Sequence, residues 1–293
     1  MLDFKVIELS DREWINKLLS LSDFRGCEYC FANNLAWRRM YETKITRYKD
    51  FYISCSFRKG IYFTFPAGSG DYADVFSQMK SFAEKNSSPL VIGSVTPDKF
   101  PLFAELFPED SYTISADEDG WDYVYNSSDL ISLAGRKYHG KRNHLKKLPA
   151  DCIYSPMTER DFDDCIAYAA GSYNRSDAYD DYSKVCEQFA IHTYFEHFDE
   201  LGLMGGVLRR NGDIAAFTVG ERINSDTLGV HIEKAESDID GAYPAINNFF
   251  AKSAGKDFAY INREEDLGIE GLRKAKRSYH PAFMIEKHTV TFK

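Results

Sequence analysis

Three stretches of the chain concentrate side chains able to do chemistry. The densest is Arg136-Lys137-Tyr138-His139-Gly140-Lys141-Arg142-Asn143-His144-Leu145-Lys146-Lys147, with six lysines and arginines in twelve residues. Ammonium point charges and planar guanidinium forks suit phosphate oxygens. Lys141, Arg142 and Asn143 are therefore candidates to hold a coenzyme pyrophosphate, the acceptor end of a tRNA or a lipid head group. The same run also reads as a solvated helix face. The second stretch follows the strand-like Phe258-Ala259-Tyr260-Ile261-Asn262 and runs from Arg263 to Lys276. Ligands of α/β sheets gather at the C-terminal ends of strands, which singles out Asn262, Arg263, Asp266 and Lys274. Asp266 reads as a helix N-cap, with Gly268 and Gly271 able to present backbone N–H groups to an anion. Capping and surface ion pairs account for the same residues. In the third stretch, Gly229-Val230-His231-Ile232-Glu233-Lys234, His231 and Glu233 are two apart and share one face of an extended strand. An imidazole and a carboxylate so placed could take the proton of an amine or hydroxyl nucleophile.

The elements that must position these residues form a faint repeat. Phe4 to Leu9 reads as a strand, followed by Ser10 and Glu13 as a capping box and by Trp14, Ile15, Leu18 and Leu19 at helical spacing. Residues 152–167 follow the same plan, with Thr158-Glu159-Arg160-Asp161 ahead of Phe162, Cys165 and Ile166. Further on, Phe51 to Phe57 and Ile61 to Phe65 flank Arg58-Lys59-Gly60 as a hairpin, leading to a helix over Tyr72 to Glu84. In the second half Met204 to Leu208 and Ile214 to Val219 flank a turn at 209–213; Thr227 to Ile232 adds a strand and Tyr243 to Ser253 a helix. Two units of ordinary domain size are expected, residues 1–150 and 151–293, with Pro149 ending a helix near the junction. Trp121 to Tyr125 reads as a buried strand.

Composition sets the outer bounds. The 293 residues are 44% apolar and 28% charged, as in a well-packed globular protein. A net charge of -9 argues against wholesale binding to nucleic acid or an anionic membrane. No run of about 20 apolar residues or signal-like start is present, so a cytoplasmic protein without a transmembrane segment is expected. Cys27 and Cys30 are the one close pair among six scattered cysteines. Reduced thiols with no metal are the expectation, since a structural zinc site needs four ligands at matched spacing. There is no P-loop, no zinc-protease helix and no nucleophile elbow.

Asp122-Tyr123-Val124-Tyr125, Asp129-Leu130, Leu133 to His144, Asn33-Asn34-Leu35 with Trp37 and Tyr41, and Asn262 to Lys276 with Tyr279 and Pro281 strongly resemble one bacterial family. It is the family named after the C-terminal domain of phosphatidylglycerol lysyltransferase. The resemblance covers nearly the whole chain and implies an α/β (α+β) fold of two fused GNAT-like units, each a mixed, mainly antiparallel sheet flanked by helices, related to Fem-type aminoacyltransferases. The implied activity is transfer of an acyl or aminoacyl group from acyl-CoA or aminoacyl-tRNA to an amine or hydroxyl on a small molecule, peptide or lipid head group. Lys141, Arg142 and Lys274 would hold the donor's anionic part, Glu233 or His231 would take the nucleophile's proton, and Tyr279 would protonate the leaving group, all in the C-terminal unit. GNAT acetyltransferases use a Gly-rich pyrophosphate loop before their central helix, and Asp238-Ile239-Asp240-Gly241-Ala242-Tyr243 is a poor version of it. The alternative reading is a non-catalytic module that binds a phosphorylated metabolite, peptide or RNA end. Oligomeric state is not legible.

Overall fold

The computed structural model describes residues 2–173 and 180–293. Its contacts divide into two compact units, Met1–Asp122 with Ile285–Lys293, and Tyr123–Met284. The sequence reading divided the chain at residues 150 and 151. The observed units differ because two strands pair away from their sequence neighbours.

In the first unit β1 (Lys5–Val6) leads through a 3-10 turn into α1 (Arg12–Ser22). The capping box forms between Glu8 and Asp11, earlier than the expected Ser10 and Glu13. Asp11 takes the role because its carboxylate also accepts from Trp14 Nε1 at 2.9 Å and pairs with Lys5 at 2.9 Å. The chain continues through α2 (Phe31–Ala36), α3 (Arg38–Tyr41), β2 (Thr43–Tyr48) and β3 (Phe51–Ser56) to β4 (Tyr62–Thr64) and β5 (Ala67–Gly68). The hairpin read around Arg58-Lys59-Gly60 is present, with β3 and β4 antiparallel and Cys55 opposite Phe63. Next come α4 (Tyr72–Lys85), β6 (Val91–Val95), α5 (Phe100–Leu106) and β7 (Tyr112–Ala116). Asp71 caps α4 by accepting from the Asp74 N–H at 3.2 Å, and Val75, Phe76 and Met79 at helical spacing enter an aromatic-rich core.

The second unit begins within β8 (Asp122–Asn126), at Tyr123, and runs through α6 (Ser127–Ser132), α7 (His139–Leu145), β9 (Cys152–Pro156), α8 (Phe162–Tyr173), α9 (Asp181–Glu196) and α10 (Phe198–Leu201). It continues with β10 (Met204–Arg210), β11 (Asp213–Arg222), β12 (Thr227–Ala235), α11 (Ala242–Ser253), β13 (Tyr260–Asn262), α12 (Glu270–Arg277) and β14 (Phe283–Ile285). The capping box read at Thr158 to Asp161 is present, with the Asp161 carboxylate accepting from the Thr158 N–H at 2.9 Å. Asn211 and Gly212, both at positive φ, make the tight turn between β10 and β11. The final strand β15 (His288–Phe292) belongs to the first unit.

The first sheet has the order β1-β2-β3-β4-β6-β15-β7, with β5 against β3; the second is β14-β8-β13-β12-β11-β10-β9. Both are mainly antiparallel, with β4–β6 and β12–β13 as parallel pairs. The Trp121 to Tyr125 run is a buried strand, as read, but β8 inserts between β14 and β13 of the second sheet. Tyr123, Val124 and Tyr125 are all buried, as a continuous apolar strand covered on both faces requires. At the other end of the chain β15 pairs with β6 and β7 and buries Val290 and Phe292 in the first core. Among the described residues no helix is long and apolar enough to cross a membrane.

Candidate functional site

The site lies in the second unit, where β12 outruns its parallel neighbour. Pairing of β12 with β13 ends at Gly229 opposite Asn262, while β12 continues to Ala235. Beyond that point the edge of β12 faces the loop that leaves β13. Asn262, fully buried, turns the loop by accepting the Glu264 N–H on its Oδ1 at 2.7 Å. Lys276 holds the loop from α12: its Nζ donates to the carbonyls of Arg263, Glu264 (3.0 Å) and Glu265 (2.5 Å).

That loop meets β12 with two residues of opposite charge. Arg263 Nη2 pairs with Glu233 Oε1 at 2.5 Å, and Glu264 Oε1 lies 2.7 Å from His231 Nδ1. The second imidazole nitrogen lies 3.2 Å from Glu221 Oε1 on β11, and Tyr194 stacks on the ring at 5.7 Å. The expected shared face is not formed: a bulge leaves His231 between the Val219–Ile232 and Gly220–Val230 pairs, so His231 meets Tyr194 of α9 while Glu233 meets Asn247 of α11, and each answers to a charge from another segment. Burial opposes the imidazolium, yet its bonds to Glu221 and Glu264 raise the His231 pKa to about 10. At neutral pH the ring is a cation that donates from both nitrogens.

Around Glu233 the remaining side chains converge on Tyr279. Its ring lies 4.8 Å from the Arg263 guanidinium and 3.7 Å from the Lys141 ammonium, which approaches from α7. Tyr125 of β8 stands 5.8 Å from Arg263, and Asn247 of α11 donates from Nδ2 to Glu233 Oε2 at 3.2 Å. Tyr279 is itself fixed by Tyr138, whose hydroxyl donates to the Tyr279 carbonyl at 2.9 Å. Burial, reinforced by Arg263 and only partly opposed by Glu233, lowers the Lys141 pKa to about 8. Burial raises that of Tyr279, keeping the phenol protonated.

Two buried polar atoms in this cluster, Arg263 Nη1 and Asn247 Oδ1, make no hydrogen bond among the described residues. Buried polar groups are overwhelmingly paired, and leaving one unpaired costs about 1–3 kcal/mol. One donor, one acceptor and an amine held on an aromatic face are thus available together.

The other sequence candidates have different tasks. Arg142 donates from Nη1 to the carbonyls of Leu133 and Gly135 (2.8 Å), tying down the segment after α6. Asn143 is exposed and bonds His139 one turn away at 2.9 Å. Asp266 does not cap α12, which begins at Glu270. It is buried, ion-paired with Arg273 at 2.8 Å, and accepts from the Tyr123 hydroxyl at 2.6 Å and the Gly268 N–H at 2.9 Å. Burial pushes its pKa up, but these bonds prevail and hold it down at about 2. Lys274 is exposed, between the inward-facing Arg273 and Lys276. Sequence reasoning did not single out Tyr125, Glu221, Asn247, Glu264 or Lys276. The available signal was polarity where apolar residues prevail: the asparagine pair Asn247 and Asn248 lies on a helix whose Ala245, Ile246 and Phe250 are buried.

The chain resembles known proteins over nearly its whole length. The family model described as phosphatidylglycerol lysyltransferase, C-terminal, matches residues 19–291. A conserved protein of unknown function from Bacteroides thetaiotaomicron is 37% identical over the whole of both chains, with a TM-score of 0.93. L-PGS from Bacillus licheniformis, 12% identical with 99% of this chain and 94% of that chain covered, superposes with a TM-score of 0.67. FemX, 9% identical with 99% and 97% covered, also has a TM-score of 0.67. No curated protein matches the chain. The fold is thus of the tandem GNAT and Fem type, and the chain belongs to the phosphatidylglycerol lysyltransferase C-terminal family.

Proposed function

We propose that the second unit transfers an acyl group, and specifically an aminoacyl group, from an activated ester to an amine or hydroxyl at the cluster of Lys141, Glu233, Asn247, Arg263 and Tyr279. The observation that carries this reading is that Arg263 Nη1 and Asn247 Oδ1, without a hydrogen bond among the described residues, gather with the Lys141 amine on the Tyr279 ring where β12 outruns β13. Arg263 Nη1 and the free edge of β12 polarise the donor carbonyl. Glu233 and Asn247 Oδ1 accept from the donor's amino group. Lys141 in its neutral form takes the proton of the attacking nucleophile, and Tyr279 returns a proton to the departing oxygen. His231, doubly hydrogen-bonded and protonated, is a positioning residue that fixes Glu264 and the loop carrying Arg263.

A donor ester fits better than acyl-CoA. The turn before α11, where an acetyltransferase would cradle pyrophosphate, is covered by the protein's own chain: a Cβ at Gly241 would lie 2.5 Å from the His144 carbonyl oxygen and 3.0 Å from the Leu148 nitrogen. With Arg142 engaged by carbonyl groups, the basic segment contributes Lys141 to the site and leaves Arg136, Lys146 and Lys147 exposed for the donor's phosphates. The acceptor is a small molecule, peptide or lipid head group bearing the nucleophile.

The test is incubation of the full chain with labelled aminoacyl-tRNA and, separately, labelled acetyl-CoA, each with a panel of amines and a phosphatidylglycerol dispersion. Label is expected to pass from aminoacyl-tRNA to an acceptor, and Glu233→Gln or Lys141→Met should slow this about 100-fold or more. Tight binding of a donor with no transfer would instead identify a binding module.

A further inference from the structure

In the first unit, a second cluster of reactive groups lies outside the proposed site. The 3-10 turn Cys27–Tyr29 brings Cys27 and Glu28 beside Asp122, and one ligand atom from each of the three lies within 4.8 Å of the others. Such a set could hold a metal ion, but the ammonium of Lys287 already stands among them. Its Nζ is 2.6 Å from Asp122 Oδ1, 2.9 Å from Glu28 Oε2 and 3.4 Å from Cys27 Sγ. Asp122 is fully buried and also accepts the Cys27 N–H at 2.9 Å, which fixes the sulfur in place. Cys30 does not pair with Cys27 as a dithiol; its thiol lies 3.1 Å from the Cys27 carbonyl oxygen.

We propose that Cys27 and Lys287 are a peroxide-sensitive modification site that closes an N–O–S cross-link. The thiol sulfur and the lysine nitrogen become joined through one oxygen atom. The S–H and one N–H bond break, S–O and O–N bonds form, and four electrons leave the pair. Two molecules of hydrogen peroxide accept those electrons: one thiol, one amine and two peroxides give the bridge and three waters. The adjacent carboxylates of Asp122 and Glu28 receive the amine's protons as the nitrogen is drawn into the bond. Selectivity among the cysteines has a physical basis. Burial pushes the thiols of Cys55 and Cys165 up to about 12, so they hold little of the thiolate that peroxide attacks. The Cys27 sulfur is also buried, 3.6 Å from Asp122 Oδ1 and 3.8 Å from Glu28 Oε2, and what sets it apart is the Lys287 ammonium in contact at 3.4 Å. The link would join positions 260 residues apart and tie the approach to β15 to the 27–29 turn of the same unit.

The full chain, freed of reductant, is titrated with hydrogen peroxide and followed by intact and peptide mass spectrometry. The expected product gains one oxygen and loses two hydrogens, yields a linked peptide containing Cys27 and Lys287, and reverts with dithiothreitol. Its thermal midpoint rises on oxidation and falls back on reduction, as expected when a cross-link restricts the unfolded chain. Lys287→Gln should divert Cys27 to sulfinic acid without a link. Wild-type protein whose Cys27 stays a free thiol, or proceeds to sulfinic acid with no linked peptide, would overturn the proposal, and this readout does not depend on any variant folding.

Discussion

Lys141 and His231 show how far a side chain's neighbours can move its chemistry. Lys141 is drawn down to about 8 by burial and by Arg263, so much of it is a neutral amine in mildly alkaline solution. If it accepts the nucleophile's proton, turnover rises with pH through a limb centred near 8. Lys141→Arg, which cannot deprotonate in this range, should lose that limb while the full chain remains folded by circular dichroism. His231 moves the other way, from 6.5 to about 10. A group raised in the folded state contributes stability that is fully present below its unfolded pKa, about 6.5, and disappears as pH rises through 10. The stability gap between wild type and His231→Gln in urea unfolding should therefore be widest near pH 6 and close above pH 10. A gap that stays constant across this range would mean the ring is not held as a cation. Strict alternation along β12 put His231 and Glu233 on one face, and the bulge at His231, which no local signal announces, turns them toward different helices. Sequence alone could not show that Glu264 and Arg263, distant along the chain, would neutralise them, because that depends on where a loop runs in space. For the same reason Arg142 read as a phosphate ligand, although it hydrogen-bonds backbone carbonyls.

At the scale of elements, the candidate site depends on where β12 outruns β13 and on a loop fixed in place beside it. Lys276 is the latch, buried and donating to three carbonyls of residues 263–265. Lys276→Met strands those acceptors and should cost about 1.5–3 kcal/mol of stability. It should also lower the rate of transfer at saturating donor, because Arg263 is no longer held against Glu233. The β11–β12 pair makes a second demand. Its register shifts between Val219 and Gly220, where a Cβ on Gly220 would sit 2.1 Å from the Gly229 carbonyl oxygen. Gly220→Val should therefore destabilise the second unit by at least about 1–3 kcal/mol, seen as a lower urea midpoint. The hairpins, the Thr158 to Asp161 capping box and α11 were legible because periodicity and turn chemistry are local signals. The first capping box was misplaced because Lys5 and Trp14 recruit Asp11, a choice made by packing rather than by spacing.

Across the whole molecule, two sheets of the same general plan are built from a chain that does not divide simply in the middle. The repeat was visible in sequence, yet the membership of β8 and β15 was not, since a buried strand carries no mark of the sheet it will join. Tyr123 to Tyr125 complete the second sheet and His288 to Phe292 the first. The family and the tandem GNAT and Fem architecture follow from the nearly full-length match and the structural neighbours. A fold shared with transferases names no reaction, which has to be argued from the site. The most direct test is a crystal structure of the full chain with an aminoacyl-adenosine analogue whose ester is replaced by a stable 3′-amide. The aminoacyl unit should lie beside Tyr279, with its carbonyl within hydrogen-bond distance of Arg263 Nη1 and its amino group within reach of Asn247 Oδ1 and Glu233. An analogue seated elsewhere, with those two buried atoms still unpaired, would contradict the account.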